Sequence, residues 1–300
     1  MDELLSYGLL TFATLALPSL GLCLAIKVTK YFNLTYGDVI TAGAFLALLF
    51  NLSFGLNLVW ALIISMALTA LLGVILHKVI FKPLMDIQVG PLTLLVVSLG
   101  AGFIIRNLIL IGWGPQPYQF AIPLARAKHF GPFFLTPNQI IIILVCLLVA
   151  VGIFLMLRYT QLGRLMRATS DNPELSEIRG ISIEKVYVYT WIIACALAAM
   201  GGIFMGMLGT IRGEMGIGVL VTIFACLIVG GLDNPYGAVF GALIIAFAME
   251  ATAIWLSPPY KVLSAYILMI LILLVKPSGL LGGEKIQWKY FLGFLRSRQS

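Results

Sequence analysis

The stretch Gln139–Leu157, which reads QIIIILVCLLVAVGIFLML, decides what kind of fold this chain can adopt. Its 19 residues include no charged side chain and no proline. A helix of about 20 mostly apolar residues crosses a hydrocarbon core about 30 Å thick, because each helical residue rises about 1.5 Å. The stretch is therefore predicted to form a transmembrane helix.

Runs of the same character recur on both sides of this stretch. Hydrophobic residues make up 61% of the 300 residues, charged residues make up 10%, and the mean hydropathy is +1.06. An ordinary soluble domain has about 25% charged residues, so a water-soluble fold is excluded. We predict an all-α polytopic membrane protein with eight or nine spans in a single domain, residues 1–300. The predicted spans are Leu4–Ile26, Val39–Phe54, Leu56–Leu76, Ile87–Ile105, Gln139–Leu157, Val186–Ile211, Ile217–Leu232, Tyr236–Leu256 and Val262–Val275, of which the second and the seventh are short.

Lysine and arginine residues concentrate in two segments that connect or follow the later spans. Five lie in residues 158–185 and five in residues 276–300. Because positively charged loops tend to stay in the cytoplasm, we predict a cell-membrane protein with both segments in the cytoplasm, an external N-terminus and a cytoplasmic C-terminus. Residues 106–138, which hold five prolines, then form an external loop that is either an ordered cap or a simple connector. Arg106 is expected to anchor the outer end of its helix.

A short helix with recognisable ends is predicted within the loop of residues 158–185. Asn172 can cap its N-terminus, and Pro173 suits the first helical position. Glu174 favours the positive end of the helix dipole, and Gly180 can end the helix. A two-turn helix is not stable alone in water, so it must pack either on its own membrane domain or on a cytoplasmic partner. The residues alone leave these two alternatives even.

Several short motifs occur in the order found in one transporter family. They are Gly163-Arg164-x-Met166-Arg167-Ala168 with Asn172 and Gly180-Ile181, Asn33-Leu34-Thr35-Tyr36-Gly37-Asp38 with Gly43-Ala44, Lys82-Pro83-Leu84, Ser98-Leu99-Gly100 with Asn107, Met215-Gly216 with Phe224-Ala225, Gly230-Gly231-Leu232, Gly237-Ala238 and Pro277-Ser278-Gly279-Leu280-Leu281-Gly282. Together they resemble the permeases of ABC importers for branched-chain amino acids, and most of all the H-type subunit, over nearly the whole chain. Tyr36 departs from this pattern, since the family usually has histidine there, and Asp233 stands where a further glycine is common.

The resemblance implies an ABC importer permease fold and a membrane-spanning subunit that forms the translocation path. Urea and short-amide importers use similar permeases, so the transporter class carries over more safely than the substrate. The implied ATPase-coupling residues are Gly163, Arg164, Arg167, Ala168, Asn172, Pro173, Glu174 and Gly180. The sequence contains no G-x-x-x-x-G-K-[ST] phosphate-binding motif. The implied partners are therefore two ABC ATPase subunits that bind ATP, a second homologous permease, an extracytoplasmic substrate-binding protein and membrane lipid, with no cofactor, metal or nucleic acid bound by this chain.

Glycine-rich segments with polar residues precede the two short spans. Short, glycine-interrupted segments in matching positions often mark a substrate path between inverted repeats, and the charge distribution makes these two enter from opposite sides. The residues assigned to this path are Asn33, Tyr36, Gly37, Asp38, Gly43, Gly216 and Glu250. Close helix packing explains the glycines equally well. Glu250 is expected to be buried or interfacial, or to lie at the surface if its span ends early.

Two other functional classes are less well supported by the residues. A stand-alone secondary carrier would transport without ATP, driven by an ion gradient. An intramembrane enzyme would need Ser, His, Asp or Cys side chains clustered at one depth, and the spans show no such grouping. The four cysteines lie far apart in apolar runs and are expected to be small core residues. We therefore predict a transporter subunit and not an enzyme.

Overall fold

The computed structural model describes residues 2–121, 128–130 and 133–282. Most of this part of the chain is helical. The α-helices are α1 (Asp2–Thr29), α2 (Thr35–Leu48), α3 (Leu58–Leu76), α4 (Lys82–Asp86), α5 (Pro91–Trp113), α6 (Pro137–Tyr159), α7 (Gln161–Asp171), α8 (Pro173–Ile178), α9 (Ile183–Leu208), α10 (Met215–Gly230), α11 (Pro235–Trp255) and α12 (Lys261–Val275). Two π-helical turns, Leu49–Ser53 and His77–Phe81, extend α2 and α3, and a 3₁₀ turn, Pro258–Tyr260, leads into α12.

Eight helical segments in the described part of the chain are long and apolar enough to cross a membrane. Helix α10 is also apolar but has only 16 residues. The prediction of an all-α polytopic protein with eight or nine spans is confirmed. The predicted short span Val39–Phe54 belongs to a 19-residue helical segment, Thr35–Ser53, because the polar residues that precede the apolar run are already helical.

A small antiparallel ribbon departs from the all-helical architecture. Strands β1 (Lys128–Phe130) and β2 (Phe133–Leu135) pair with Lys128 opposite Leu135. The ribbon lies in the connection between α5 and α6, for which no strand is predicted from the sequence. Residues 122–127 and 131–132 of this connection lie outside the described residues.

The predicted external loop 106–138 is wrong at its start. Helix α5 continues to Trp113, and α6 begins at Pro137, so residues 106–113 are helical. The prediction ended the span early because Arg106 is charged. In the structure this charge is paired inside the protein, so the helix continues beyond it without exposing a bare cation to lipid.

Helix α1 forms the centre of the bundle. It packs against α9 and α11 and also contacts α6 and α10. Buried small residues such as Ala13 and Ala16 let these neighbours approach closely. The outer helices have the opposite character: Leu148 in α6 is 71% exposed and Leu274 in α12 is 69% exposed. Such apolar surfaces suit contact with lipid or with another membrane protein.

The segment that follows α12 folds back onto the C-terminal end of α10. The N–H of Leu280 donates to the Val229 carbonyl at 2.8 Å, and the N–H of Leu281 donates to the Gly230 carbonyl at 3.1 Å. The glycines of the motif 277–282 therefore serve a close packing contact. The predicted tail 276–300 is described only to Gly282. Its basic residues Lys285, Lys289, Arg296 and Arg298 lie outside the described residues.

Candidate functional site

Helix α2 begins inside the bundle, part-way along its neighbours. The N–H of Leu34 donates to the Ser98 hydroxyl at 3.0 Å, and the Thr35 hydroxyl donates to the Ser98 carbonyl oxygen. Ser98 is the eighth of the 23 residues of α5. Because α5 is a full-length span, the N-terminus of α2 lies within the membrane-spanning part of the protein and not at its surface.

Asn33 forms this helix start. Its Oδ1 accepts a hydrogen bond from the N–H of Thr35 at 2.9 Å. The side chain is only 2% exposed, yet its Nδ2 has no hydrogen-bond partner within the described part of the chain. A buried donor left unpaired costs free energy. Among the described residues, the Asn33 amide thus keeps one donor group unused.

Tyr36 points into the centre of the bundle. Its hydroxyl lies 3.0 Å from the carbonyl oxygen of Pro18 in α1 and 3.0 Å from that of Ala194 in α9. A Cβ at position 21 would lie 2.3 Å from this hydroxyl, so Gly21 makes room for it. Tyr36 therefore holds α2 to α1 and α9.

The first turns of α2 and α10 meet through their glycines. A Cβ on Gly216 would lie 1.8 Å from the carbonyl oxygen of Gly37, so the two backbones are in direct contact. The N–H of Gly216 donates to the Thr41 hydroxyl at 3.0 Å. Two helix N-termini thus cross inside the bundle. We call Gly37, Thr41 and Gly216 the glycine crossing.

Gly43 is a packing residue. A Cβ there would lie 2.5 Å from the Cα of Ala199 in α9. The Gly43 carbonyl oxygen accepts a hydrogen bond from the Ser65 hydroxyl in α3 at 2.7 Å. This position therefore lets α2 lie close to both α9 and α3.

A buried ion pair joins α2 to α5 beside the glycine crossing. Arg106 Nε lies 2.9 Å from Asp38 Oδ1, and Arg106 Nη2 lies 3.3 Å from Asp38 Oδ2. The side chains are 3% exposed for Asp38 and 14% for Arg106. A Cβ at Gly102 would lie 2.4 Å from Asp38 Oδ2, so this glycine leaves space for the carboxylate. The expectation that Arg106 anchors the outer end of its helix is corrected, because α5 continues to Trp113 and the charge of Arg106 pairs with Asp38 in α2.

A second ion pair holds α1, α11 and α12 together. The Glu250 carboxylate accepts hydrogen bonds from the Lys261 ammonium and from the Thr11 hydroxyl. Glu250 is 6% exposed, which confirms the expectation that it is buried. None of these partners belongs to the glycine crossing. The structure therefore brings Asn33, Tyr36, Gly37, Asp38 and Gly216 together, and leaves Glu250 in a separate cluster.

The first half of the predicted coupling loop is fastened to α6. Arg167 Nη1 donates to the Leu157 carbonyl oxygen, and Arg164 Nη1 donates to the Tyr159 carbonyl oxygen at 3.3 Å. A Cβ at Gly163 would lie 2.3 Å from the Leu157 oxygen. The last carbonyls of a helix lack partners within it, and basic side chains near that end are favourable. Gly163, Arg164 and Arg167 thus hold α7 against the end of α6.

The second half of the loop is the predicted short helix, α8. Asn172 Oδ1 accepts the N–H of Leu175 at 3.0 Å, and Pro173 is the first residue of α8, with Glu174 in its first turn. Gly180 follows the helix with a φ of +81°, a backbone conformation that favours glycine. Between the two helices, the half-buried Ala168 accepts the N–H of Asn172 at 3.1 Å. The helix ends predicted from the sequence are confirmed.

Two apolar side chains of α8 point away from the protein. Ile178 is 82% exposed and Leu175 is 45% exposed, whereas Ser176 on the opposite side is buried. The α8 tip, Leu175 and Ile178, is therefore an unpartnered apolar edge on a short capped helix.

Three polar residues of the two ion-pair clusters were missing from the sequence-based assignment: Arg106, Lys261 and Thr11. The first two carry a signal in hindsight, since each is a basic residue inside or beside an apolar span with a carboxylate elsewhere in the membrane. Thr11 carries none. Among the described residues no group of three or more His, Cys, Asp or Glu side chains could hold a metal ion.

Comparisons with known proteins agree with this architecture. A family model described as "Branched-chain amino acid transport system / permease component" matches residues 4–273. The chain is 23% identical over 295 residues to the high-affinity branched-chain amino acid transport system permease protein LivH of Escherichia coli (strain K12), covering 93% of this chain and 95% of that protein. It is 24% identical over 328 residues to LivM of the same organism, covering 99% and 75%. The chain therefore matches the H-type subunit over more of the relative's length.

A solved structure shows the same fold. The chain is similar to a chain of PsaBC from Streptococcus pneumoniae in complex with Fab, with a TM-score of 0.50, 14% identity and coverage of 92% of this chain and 93% of that chain. The family match covers most of the sequence. The chain belongs to the family of permease components of branched-chain amino acid transport systems, as a multi-pass membrane transporter subunit and not an enzyme.

Proposed function

We propose that this chain is the H-type permease subunit of an ATP-driven importer of branched-chain amino acids. Its partners are a second homologous permease, two ABC ATPase subunits that bind ATP, and an external substrate-binding protein. The relatives support the permease pair, since LivH and LivM of one organism are both named as permeases of a high-affinity branched-chain amino acid transport system. The chain contributes the membrane path and binds no cofactor of its own.

The α8 tip is the observation that carries ATPase coupling. Ile178, at 82% exposed, ends a helix that is capped at both ends and follows a helix fastened to α6. An apolar side chain displayed on a rigid support suits insertion into a groove of a partner. In our proposal α7 transmits movement to α6, while the α8 tip contacts the ATPase.

The translocation path lies next to the glycine crossing in our proposal. Asn33, Gly37, Asp38 and Gly216 lie where two helix N-termini meet inside the bundle. Discontinuous helices whose N-termini lie inside the membrane are a recurring feature of substrate sites in transporters. Tyr36 and Gly43 support the path by holding α2 in position, and Glu250 braces α1, α11 and α12.

The orientation follows from the basic residues. Lys27 at the end of α1, Arg167 in α7 and Tyr236 at the start of α11 line one cavity, so these helix ends lie on one face of the protein. We propose that this face is cytoplasmic, since positively charged segments favour that side. The N-terminus is then external and the C-terminus cytoplasmic.

Reconstitution in liposomes tests this function. The vesicles contain this chain, its candidate partner permease and the ATPases, with ATP inside and the binding protein and labelled leucine outside. Uptake is expected to require both ATP and the binding protein. Ile178→Asp is expected to reduce uptake by at least about tenfold, because it forces a carboxylate into an apolar contact.

Ile178→Leu is the matched control and is expected to keep uptake close to that of the wild type. Uptake of urea or a short amide in place of leucine would keep the importer and replace the substrate. Uptake by this chain alone, driven by an ion gradient and indifferent to ATP, would show a secondary carrier and contradict the proposal. Equal uptake by Ile178→Asp and Ile178→Leu would show that the α8 tip does not form the contact with the ATPase.

A further inference from the structure

The Asp38–Arg106 ion pair is not the only attachment of α2. Neutral hydrogen bonds already connect α2 to every neighbouring helix. Ser98 binds the start of α2 to α5, and Ser65 binds it to α3. Tyr36 reaches α1 and α9, and Thr41 accepts a hydrogen bond from α10. A charged pair at this position therefore requires a reason other than attachment.

Keeping two charges inside a membrane protein is costly. Desolvation of a buried ion pair often exceeds the attraction between its members, and ionisable groups within spans are rare outside functional sites. The pair also lies beside the path: Asp38 follows Gly37 of the glycine crossing, and Leu110, one turn beyond Arg106 in α5, would meet a Cβ on Gly213 at 2.9 Å. Arg106 is therefore close to the loop that leads into α10.

Part of the Arg106 side chain is accessible, whereas the Asp38 side chain is nearly enclosed. Arg106 is 14% exposed and Asp38 is 3% exposed. The centre of the Phe103 ring lies 5.3 Å from Arg106 Cζ, and Phe103 is 49% exposed. Asn107, also exposed, comes next in α5. A polar amide and a charged group beside exposed apolar side chains fit a ligand that is charged at one end and apolar at the other.

We propose that Asp38 and Arg106 form the contact for the charged head group of the transported amino acid. The substrate first meets Arg106, the more accessible member of the pair, and binding opens the ion pair. Arg106 then binds the α-carboxylate, Asp38 binds the α-ammonium group, and the aliphatic side chain lies on Phe103. This inference rests on the proposed function and deepens it, since it identifies the residues that recognise a zwitterion.

Charge balance is the physical basis of this exchange. In the empty site the two protein charges neutralise each other. In the loaded site each is neutralised by the opposite charge of the substrate, so neither state contains an uncompensated buried charge. A ligand with a carboxylate only, or with an ammonium group only, leaves one protein charge unpaired and is rejected for that reason.

The test measures ligand binding by the complete permease–ATPase complex in lipid nanodiscs, without the binding protein. Labelled leucine is displaced by leucine, by leucinamide, which lacks the carboxylate, and by 4-methylpentanoate, which lacks the ammonium group. Wild-type complex is expected to bind leucine at least about tenfold more tightly than either analogue, as expected when a buried charge loses its partner. Asp38→Asn is expected to lose the preference over 4-methylpentanoate, and Arg106→Gln the preference over leucinamide.

Three further variants make the result independent of folding. Arg106→Lys keeps the charge and is expected to keep the preference over leucinamide. The double variant Asp38→Asn with Arg106→Gln leaves no unpaired charge and is expected to bind leucine at least about tenfold more weakly than wild type. Glu250→Gln alters the other ion pair and is expected to leave ligand preference unchanged. Assembly and basal ATPase activity are measured for each.

Several outcomes would overturn the inference. They are a wild-type complex that binds leucinamide as tightly as leucine, one that binds no leucine at millimolar concentration, and assembled variants whose ligand preference matches that of the wild type. The liposome experiment separates these outcomes from failure of the proposed function. If wild-type complex imports leucine with ATP while the variants keep wild-type preference, only the head-group contact is wrong.

Discussion

The two buried ion pairs differ in their depth and in the exposure of the basic residue. Asp38–Arg106 joins the interior start of α2 to α5, and its arginine is 14% exposed. Glu250–Lys261 connects α11 to the first residue of α12, and its lysine is 31% exposed. Both carboxylates are nearly inaccessible, at 3% and 8%. The two sites therefore differ more in the exposure of the basic side chain than in that of the acidic one.

The two ion pairs are expected to respond differently to the loss of one charged partner. Lys261 lies at a helix start, so its long side chain can extend toward the membrane surface if its partner is lost. The Asp38 carboxylate cannot move to water in the same way, because its side chain is short and its helix begins inside the bundle. We call Asp38–Arg106 the inner pair and Glu250–Lys261 the outer pair. We infer that the protein tolerates loss of one charge from the outer pair, whereas the inner pair must keep both charges or neither.

The largest effect is expected for Arg106→Ala. It leaves the Asp38 carboxylate buried and unpaired, which costs about 3–5 kcal/mol. Thermal unfolding of the purified complex and leucine uptake are the measurements, and both are expected to fall sharply. The double variant Asp38→Asn with Arg106→Gln is the control and is expected to recover much of the stability but not the uptake. Equal stability of Arg106→Ala and the double variant would show that Asp38 is not stranded.

A smaller but still marked effect is expected for Gly216→Ala beside the inner pair. The new Cβ would lie 1.8 Å from the Gly37 oxygen, so the two helix starts must separate at a cost of about 1–3 kcal/mol. Gly218→Ala is the matched control in the same helix, because a Cβ there meets no described atom within 4 Å. It is expected to be neutral or stabilising, since alanine favours helix. If both variants unfold at the same temperature, the glycine crossing is not a close contact.

The smallest effect is expected for Glu250→Gln in the outer pair. The amide can still accept a hydrogen bond from Thr11, and Lys261 can reach water, so a loss of about 1 kcal/mol or less is expected. Uptake is expected to stay near the wild-type rate. Thr11→Val, which removes one hydrogen bond to the same carboxylate, is expected to have a similar effect. A loss as large as that of Arg106→Ala would show that depth does not separate the two pairs.

Features set by local sequence were predictable. Gln139–Leu157 contains no charged residue and is apolar after its first position. The structure has a helix there, because length and composition alone decide whether a segment can cross a membrane. The ends of α8 were predictable for the same reason, since Asn172, Pro173 and Gly180 act on the backbone within a few residues of themselves. Interactions between residues that are close in the sequence can be predicted from one sequence alone.

Features set by distant contacts were not predictable. Asp38 and Arg106 are 68 positions apart in the sequence. The residues next to each of them give no indication that the two side chains pair. The sequence therefore suggested a helix end at Arg106 where the structure has a paired charge. The resemblance places Arg167 among the ATPase-coupling residues, and in the structure its side chain donates to the Leu157 carbonyl at the end of α6. The motif indicated a constrained position without showing what constrains it.

The contact between Gly37 and Gly216 has a mechanical consequence. Gly37 and Gly216 contribute no side chain to this contact, so a rotamer change at these two residues cannot lengthen or shorten it. Helices α2 and α10 can still change the angle between them by tilting about this contact. We expect such tilting to convert a displacement at one face of the protein into an opposite displacement at the other face.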